Sequence, residues 1–531
     1  MDLHGAFHVY DTTLRDGAQQ EGLNLSVADK LTIARQLDGL GVGYIEGGWP
    51  GANPKDTEFF RRAVDELDLR HAKLAAFGAT RKAGVRAADD PQVAALRDSG
   101  AGVVTLVAKS HDRHVELALR TTLEENLEMI RDTVSHLRAE GQQVFLDAEH
   151  FFDGYRRNRD YALEVLRTAY DAGADVIALC DTNGGMLPPW VSDVVHDVIE
   201  TTGVRVGIHC HNDTGCAVAN TLAAVDAGAT HVQGCINGDG ERTGNADLIT
   251  VVANLELKLE REVLPEGLLA ESTRIAHAVA DVTNFAPASR QPYVGTSAFA
   301  HKAGLHASAI KVDPNLYQHM DPVGVGNDMR LLVSDMAGRA TIELKGRELG
   351  FDLSGDRELV TRVTARVKEM EQRGYTFEAA DASFELMLVE EVEGRRPAYV
   401  DVESWRVITE TLANRGVADE AVSEATVKLT AEGVRYVVTG EGNGPVNALD
   451  SALRTAIVQA FPEVAKFDLV DYKVRILDQG HGTDAITRVL IETSDGASSW
   501  VTVGVGHNVI EASWEALLDG LTYGLRRHHE D

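Results

Sequence analysis

A helix-to-strand junction recurs four times in the first half of this sequence, and it constrains the fold more than any other feature. In each copy an amphipathic helical segment ends at a glycine, and a short apolar run rich in β-branched residues follows. Glycine is common just past a helix end because it adopts the left-handed conformation there without strain. The four copies are LDGLGVGYIEGG at 37–48, LRDSGAGVVTLVA at 96–108, AYDAGADVIALCDT at 169–182 and AVDAGATHVQGCIN at 224–237.

Further strand candidates lie between these junctions, at 7–13, 73–80, 143–151 and 204–213. Eight strands that alternate with helical segments predict a parallel sheet. Eight such units within about 240 residues fit the size of a (β/α)8 barrel. A doubly wound open sheet is the alternative, but no G-x-G-x-x-G follows the first strand. We therefore predict an α/β fold with a catalytic (β/α)8 TIM barrel at 1–285.

Composition excludes several classes of partner. The 531 residues carry a formal net charge of −31, whereas nucleic acids and anionic membranes bind basic surfaces. No apolar run reaches the length of a membrane span, and the N-terminal segment lacks the basic and apolar regions of a signal peptide. The four cysteines form no C-x-x-C pair. We expect a cytoplasmic protein with reduced thiols, with neither nucleic acid nor a membrane as its partner.

Polar and titratable residues follow the expected strands at the same end each time. In a (β/α)8 barrel the carboxyl ends of the strands converge on one mouth, where active sites are built. The residues at these ends are Asp11 to Asp16, Glu46, Thr80, Lys109, Asp147 with Glu149, Asp181 with Thr182, His209 with His211, and Asn237 to Asn245. The pattern predicts a catalytic mouth.

The segment GIHCHND places two imidazoles two residues apart. On a strand, His209 and His211 point to the same face while Cys210 points away from it. Asp16 follows the first strand and Asn245 follows the eighth, and strands seven, eight and one are neighbours in a closed barrel. A carboxylate, two imidazoles and an amide suit Zn²⁺, Mn²⁺, Co²⁺ or Mg²⁺.

Each of these residues also has a purely structural explanation. The two histidines could be a hydrogen-bonded pair at a strand end. Asp16 could be the turn residue before Gly17, with Arg15 as its salt-bridge partner. Asn245 could cap a helix that starts near Ala246. The joint position of these residues at adjacent strand ends favours the metal site.

Four motifs, in order along the chain, resemble those of one enzyme family. DTTLRDGAQ, GIHCHNDTGCAVAN, NGDGERTGNADL and HKAGLHASAI look like segments of the acyl-CoA-dependent Claisen condensing enzymes, which include the isopropylmalate, homocitrate and citramalate synthases. Within that group, IEGGWPGANPKD at 45–56 resembles the citramalate synthases most. Ala18 in DGAQ differs from the glutamate that homocitrate synthases often have there.

The resemblance implies a set of metal ligands. It implies that Asp16, His209 and His211 bind a divalent metal, with Asn245 as a further ligand or a close neighbour. It also implies that Arg15 lies against the keto oxygen of a metal-chelated 2-oxoacid.

The resemblance implies further roles around that metal. Thr182 would bind the substrate carboxylate, and we assign Asp147 to the same substrate-binding set. Glu149 matches the family's active-site glutamate, although His150 follows it where the family often has aspartate. The remaining matches are Glu241, hydrogen-bonded near the metal, and His306 and Tyr317, contributed from beyond the barrel.

The resemblance to the citramalate synthases within this family implies that acetyl-CoA condenses with pyruvate and that the thioester is then hydrolysed, giving (R)-citramalate and CoA in isoleucine biosynthesis. The metal would act as a Lewis acid, and Arg15 would stabilise the developing alkoxide. A base must take the proton from the methyl group of acetyl-CoA. Glu149 and His306, the latter assisted by Glu241, are both candidates for that base.

Three other functions stay open at this point. A 2-isopropylmalate synthase would differ in the size of its acceptor pocket, with 2-oxoisovalerate as acceptor in leucine biosynthesis. A related acyl-CoA lyase or aldolase fits less well, because the simple lyases of this group lack a long C-terminal repeat. A noncatalytic amino-acid-binding regulator would have lost a metal ligand or Arg15, and none is missing.

The second half of the chain predicts helical linker subdomains at 286–410, which contribute to the active site, and a C-terminal α+β domain at 411–531. Segments 425–457 and 472–521 repeat one order of strands, glycine-rich loop and helix, which predicts two βββα-like units. This domain resembles the regulatory domain of isopropylmalate synthases, which binds an end-product amino acid at a dimer interface. The resemblance implies a homodimer with isoleucine as effector.

Overall fold

The computed structural model describes residues 7–410, 422–477 and 485–530. Eight parallel strands pair in sequence order, and the eighth pairs with the first to close a barrel. They are β1 His8–Asp11, β2 Tyr44–Gly48, β3 Lys73–Ala79, β4 Val103–Lys109, β5 Gln143–Glu149, β6 Val176–Asp181, β7 Val206–Cys210 and β8 His231–Gly234. The predicted (β/α)8 TIM barrel is confirmed.

Helices alternate with these strands along the chain. They are α1 Val27–Leu40, α2 Pro54–Glu66, α3 Pro91–Arg97, α4 Leu123–Ala139, α5 Phe151–Arg157, α6 Arg159–Asp171, α7 Pro188–Thr202, α8 Ala217–Asp226, α9 Leu248–Leu257 and α10 Ser272–Thr283. Their starts follow local sequence signals. At α1, for example, the side chain of Ser26 accepts from the Asp29 amide while the Asp29 carboxylate accepts from the Ser26 amide.

The glycines of the repeated junction explain why that pattern predicts helix ends. All four have left-handed backbone, with φ of 87° at Gly41, 78° at Gly100, 109° at Gly173 and 113° at Gly228. At Gly41 a side chain would also collide with Pro265, whose Cδ lies 2.5 Å from the position of an added Cβ. Both the conformation and the close approach require glycine there.

A layer of aromatic side chains fills the interior of the barrel. Tyr10, Tyr44 and Phe145 belong to one buried cluster, and the rings of Tyr44 and Phe145 meet edge to face at 5.2 Å. A larger apolar core lies between the strands and the surrounding helices. The interior is therefore packed, as expected for this fold, and the polar side chains collect at the carboxyl ends of the strands.

The chain divides into two compact units. The first ends at Phe299 but also includes Met320–Asp328, and the second comprises Ala300–His319 and the chain from Met329 onward. The boundaries predicted at 285 and 410 remain predictions. The second unit begins with β9 Ala300–His301, α11 Gly304–Ile310, β10 Arg330–Leu331, α12 Arg339–Glu348, α13 Arg357–Gln372 and α14 Asp381–Glu393.

Two antiparallel three-stranded sheets, each followed by a helix, complete the second unit, which confirms the two βββα-like repeats. They consist of β11 Val400–Glu410, β12 Val422–Ala431, β13 Val434–Gly442 and α15 Pro445–Ile457, then β14 Asp468–Ile476, β15 Thr487–Ser494, β16 Ser499–Gly506 and α16 Val509–Glu530. The first repeat takes its strand β11 from upstream of the predicted segment. Residues 411–421 and 478–484, which belong to the predicted domain, lie outside the described residues.

The two repeats share one packing solution. An added Cβ at Gly440 on β13 would lie 2.5 Å from the backbone nitrogen of Ala452, and one at Gly504 on β16 would lie 1.9 Å from the carbonyl oxygen of Ala512. In each repeat a glycine of the last strand thus lets the following helix approach the sheet. Within the described parts of the chain, no helix combines the length and apolar character needed to cross a membrane.

Candidate active site

Barrel closure brings three predicted metal ligands together. Asp16 follows β1, while His209 lies on β7 and His211 one residue beyond it. The Nε2 atom of His209 is 3.5 Å from Asp16 Oδ2 and 3.3 Å from His211 Nε2. One potential ligand atom from each of the three buried side chains lies within 4.8 Å of the others. A carboxylate oxygen and two imidazole nitrogens at this spacing fit a divalent metal ion.

Asn245, predicted as a further ligand or a close neighbour, lies beside this group. Its Nδ2 donates to Asp16 Oδ1 at 3.1 Å and to the carbonyl oxygen of Asp239 at 3.0 Å. Its Oδ1 is buried and, among the described residues, has no hydrogen-bond partner, and the same is true of Nδ1 of His211. Buried polar atoms without partners are expected where a ligand is meant to bind.

The structure also tests the structural alternatives for two of these residues. Helix α9 begins at Leu248 and Asp247 occupies its cap position, so Asn245 does not cap that helix. Asp16 precedes a short helical turn at Gly17–Gln19, but its side chain makes no capping hydrogen bond there. The capping explanation is therefore wrong for Asn245, whereas the salt bridge expected between Arg15 and Asp16 is present, at 3.0 Å, beside the two histidines.

Burial and local charge set the protonation states that a cation requires. Burial lowers the pKa of His209 to about 4 and also lowers the pKa of His211. Burial alone would raise the pKa of Asp16, but the charges of Arg15 and of the two imidazoles hold it below its ordinary value. At neutral pH the site therefore presents an ionised carboxylate and two neutral imidazoles.

Arg15 is held on three sides. Its Nε donates to Glu46 Oε1 at 2.5 Å, its Nη1 donates to Asp16 Oδ2 at 3.0 Å, and its guanidinium lies 3.9 Å from the centre of the Phe77 ring. Glu46 is fully buried and also accepts from the hydroxyl of Tyr10 at 2.6 Å. Although burial would lower the pKa of Arg15, these carboxylates raise it, so the guanidinium stays charged.

A cavity of about 240 Å³ opens beside the predicted metal ligands. Eight of the predicted site residues line it, namely Arg15, Asp16, Asp147, Glu149, Thr182, His209, His211 and Glu241. His306 and Tyr317 lie in the second unit instead, where their rings stack with centroids 4.0 Å apart. Cys210 packs in the apolar core, as expected, but Cys180 lines the cavity and was not predicted to do so.

Several predicted catalytic and substrate-binding residues are already engaged with protein groups. Glu149 forms an ion pair with Lys109. Thr182 Oγ1 accepts from the backbone N–H of His150 at 2.8 Å, and His150 has a left-handed backbone with φ of 57°. Asp147 is 3% exposed and accepts from Gln233 at 2.8 Å, and burial raises the pKa of Asp147 to about 7.

Sequence reasoning missed other residues that line the cavity. Trp49, Phe77 and Val107 form an apolar wall, and the ring of Trp49 meets that of Phe77 edge to face at 5.5 Å. Arg242 binds both carboxylate oxygens of Asp213, at 2.8 and 2.9 Å, and donates to the carbonyl oxygen of Thr182 at 2.8 Å. The sequence placed Glu46 at a strand end but gave no reason to choose it.

Comparison with known proteins covers nearly the whole chain. A family model described as HMGL-like matches residues 6–279. A homocitrate synthase post-HMGL domain-like model matches 293–375, and a LeuA allosteric (dimerisation) domain model matches 378–525.

Relatives that align over nearly their full length show which branch of the HMGL-like family this chain resembles. An (R)-citramalate synthase of Streptomyces coelicolor is 68% identical, covering 99% of this chain and 98% of the relative. An (R)-citramalate synthase of Synechocystis is 47% identical, covering 98% and 96%. The chain belongs to the citramalate synthases of the HMGL-like family. A probable 2-isopropylmalate synthase of Methanopyrus kandleri is more distant, at 33% identity over 98% of this chain and 99% of the relative.

Membership of this family agrees with the donor set found at the barrel mouth. The family relation and the cluster of Asp16, His209 and His211 both fit a divalent metal ion, and acetyl-CoA as co-substrate fits a citramalate synthase. The predicted alternative of a noncatalytic regulator is not supported, since the cluster and Arg15 are intact.

We expect His209→Ala to lose bound metal, because it removes one of three clustered donors without changing the other two. Metal content per chain after dialysis against a weak chelator, measured by elemental analysis, should fall at least about tenfold. His150→Ala is the matched control, since it removes a histidine of the same barrel mouth that is not part of the cluster. Equal metal content in wild type and His209→Ala would contradict the assignment.

Proposed function

We propose that this chain condenses acetyl-CoA with pyruvate and hydrolyses the resulting thioester, releasing (R)-citramalate and CoA. One observation carries the proposal: Asp16, His209 and His211 converge beside a charged Arg15 in a cavity that also contains Thr182 and Glu149. The whole-chain similarity to enzymes named (R)-citramalate synthase supports the same reaction.

Asp16, His209 and His211 would hold a divalent ion, with Asn245 as a further ligand through its unpartnered Oδ1. Zinc, manganese, cobalt and magnesium all accept such mixed oxygen and nitrogen donors. Zinc binds imidazole readily, whereas magnesium prefers oxygen ligands. When bound, the ion would supply Lewis acidity at the carbonyl group of the 2-oxoacid.

Arg15 provides a positive charge whose position is already fixed before the reaction begins. Glu46 and Asp16 accept hydrogen bonds from two different nitrogens of the guanidinium, and the Phe77 ring packs against its face. When the methyl carbon of acetyl-CoA attacks the keto carbon, the C=O π electrons move onto oxygen. A guanidinium already oriented at that oxygen stabilises the negative charge as it forms.

Thr182 would bind the carboxylate of the 2-oxoacid. Its Oγ1 accepts a hydrogen bond from the amide of His150, so the hydroxyl hydrogen is directed elsewhere and can be donated. Arg242 holds the same loop through the Thr182 carbonyl oxygen. Asp147 lines the cavity and stays in the proposed substrate-binding set.

The proton of the acetyl-CoA methyl group needs an acceptor. Glu149 lines the cavity with its carboxylate held by Lys109. His306 stacks on Tyr317 in the second unit, and Glu241, its proposed assistant, lines the cavity. We propose that one of these two groups takes the proton. The new carbon–carbon bond then forms, the alkoxide gains a proton, and water cleaves the thioester to release CoA.

The acceptor preference tests the proposed reaction directly. We expect CoA release from acetyl-CoA to have a larger kcat/KM with pyruvate than with 2-oxoisovalerate or 2-oxoglutarate, by at least about tenfold, because a small cavity rejects added methyl groups. A thiol-release assay measures this. A preference for 2-oxoisovalerate would indicate a 2-isopropylmalate synthase instead, and no release with any 2-oxoacid would contradict condensation.

Trp49 would set the size of the acceptor. It is the largest side chain of the apolar wall, and Asp56 fixes its position by accepting from the Trp49 amide at 2.9 Å. We expect Trp49→Ala to shift the kcat/KM ratio from pyruvate toward 2-oxoisovalerate by about tenfold or more. Trp190→Ala removes an exposed tryptophan of α7 and should leave the ratio unchanged. An unchanged ratio in Trp49→Ala would contradict this role.

We also propose that the C-terminal domain binds isoleucine and that the enzyme is a cytoplasmic homodimer. The match to an allosteric dimerisation domain supports the effector site and the homodimer. The four free cysteines support a cytoplasmic location, where thiols stay reduced. We propose residues 1–285 as the catalytic domain, 286–410 as linker subdomains and 411–531 as the regulatory domain.

A cavity in the second unit suits an amino-acid effector. It measures about 590 Å³, and its apolar lining includes Val446, Phe467, Leu469 and Tyr472. Its charged lining consists of Asp450, Arg454 and Asp468, so groups of both signs are present for a zwitterion. Arg454 already pairs with Asp450 at 2.7 Å, which leaves the Asp468 carboxylate as the complement to an ammonium group.

We expect Leu469→Trp to abolish inhibition by isoleucine, because the larger ring fills this cavity. The concentration of isoleucine for half-inhibition should rise at least about tenfold while activity without isoleucine is retained. Lys473→Trp, at an exposed position of the same strand β14, is the matched control and should be inhibited like wild type. Wild-type inhibition of Leu469→Trp would place the effector elsewhere.

A further inference from the structure

Gln233 lies directly beside His209, one of the three residues of the proposed metal site. It occupies the position on β8 that pairs in register with His209 on β7. Its Oε1 lies 2.9 Å from Nδ1 of His209, the ring nitrogen on the side away from Asp16 and His211. This residue lies in the fourth helix-to-strand junction, at 224–237, but is not among the predicted site residues.

The orientation of the Gln233 amide follows from its other partner. Its Nε2 donates to Asp147 Oδ1 at 2.8 Å, an oxygen that can accept this hydrogen bond whether or not the other carboxyl oxygen carries a proton. The amide nitrogen therefore faces Asp147, and the amide oxygen faces His209. An oxygen at this position requires a hydrogen on Nδ1 of His209, so the neutral ring keeps its lone pair on Nε2.

The remaining Gln233 donor reaches deeper into the barrel. Nε2 of Gln233 is 3.3 Å from Nε2 of His231, whose Nδ1 is 3.2 Å from Nδ1 of His8. Gln233, His231 and Asp147 are 1%, 0% and 3% exposed. These side chains are almost fully buried and bond to one another in a chain, so each partner constrains the next.

We propose that Gln233 is a positioning residue that selects the tautomer and ring orientation of His209, so that Nε2 presents its lone pair toward Asp16 and His211. The inference rests on the metal site of the proposed function. Asp147 acts through Gln233 in this arrangement, because it fixes which end of the amide faces the histidine. Hydrogen bonds of this kind to the second ring nitrogen set both the orientation and the basicity of a metal-binding histidine.

The proposal can be tested by exchanging the amide of Gln233 with the carboxylate of Asp147. In Gln233→Glu alone, two carboxyl groups would face each other in the barrel interior, and the donor to Asp147 would be lost. In the double variant Gln233→Glu, Asp147→Asn, the new asparagine can donate to the new glutamate. The glutamate can still accept from Nδ1 of His209, so the histidine keeps its tautomer.

Co²⁺ binding to the metal-stripped full-length protein, measured by competition with a chelator, gives the first readout. We expect Gln233→Leu and Gln233→Glu to bind Co²⁺ about 10–100-fold more weakly than wild type. The double variant should bind within about threefold of wild type. Asn220→Leu removes another fully buried amide, on α8 and bonded to the Met186 carbonyl oxygen, and should bind Co²⁺ like wild type. Thermal unfolding of each metal-free variant checks that it folds.

The ¹⁵N spectrum of the histidines in the metal-free protein gives the second readout. We expect the His209 signal, assigned by its absence in His209→Ala, to show the form with hydrogen on Nδ1. The opposite tautomer would overturn the proposal, since it would require a flipped Gln233 amide and a protonated Asp147. Equal Co²⁺ affinity in folded Gln233→Leu and wild type, or failure of the double variant to recover affinity, would also overturn it. Absence of Co²⁺ binding in wild type would instead refute the metal site itself.

Discussion

The pairing of β8 with β1 is the interaction on which the site depends. The Thr12 amide donates to the Gly234 carbonyl oxygen at 2.8 Å, and the Ile236 amide donates to Thr13 Oγ1 at 2.9 Å. These contacts join segments more than 200 residues apart and set Asp16 beside His209. Without closure, the carboxylate after β1 and the imidazoles of β7 would be separated by the intervening strands of an open sheet, and no cluster would form.

The sequence predicted those site residues that stand out locally at the end of a strand. Asp16, His209 and His211 could be inferred because alternation on a strand and barrel closure together fix their neighbours. Gln233 and Trp49 could not be inferred, because their roles depend on side-chain partners that the register and loop geometry supply. Gln233 reads in sequence as one polar residue in a short strand, and only its pairing with His209 and Asp147 gives it a role.

Charge explains why a cation suits this mouth. The chain has a net charge of −31, and Arg15, Lys109 and Arg242 are each paired with carboxylates of the protein itself. These cations therefore offer less attraction to an anionic 2-oxoacid than their number suggests. A divalent ion held by Asp16, His209 and His211 would add positive charge beside the cavity proposed for the 2-oxoacid.

The shifted pKa values at the barrel mouth make the folding stability depend on pH in both directions. The pKa of His209 falls to about 4 on folding, so the folded state binds fewer protons and stability declines as pH falls from about 6.5 toward 4. Burial raises the pKa of Asp11 and Asp147 to about 7, so their contribution to stability is lost as pH rises toward 7. A divalent ion bound only by the folded chain would offset part of this loss, because it pairs with the Asp16 carboxylate and both imidazole lone pairs. Metal binding by Asp16, His209 and His211 would therefore couple to the stability of the barrel.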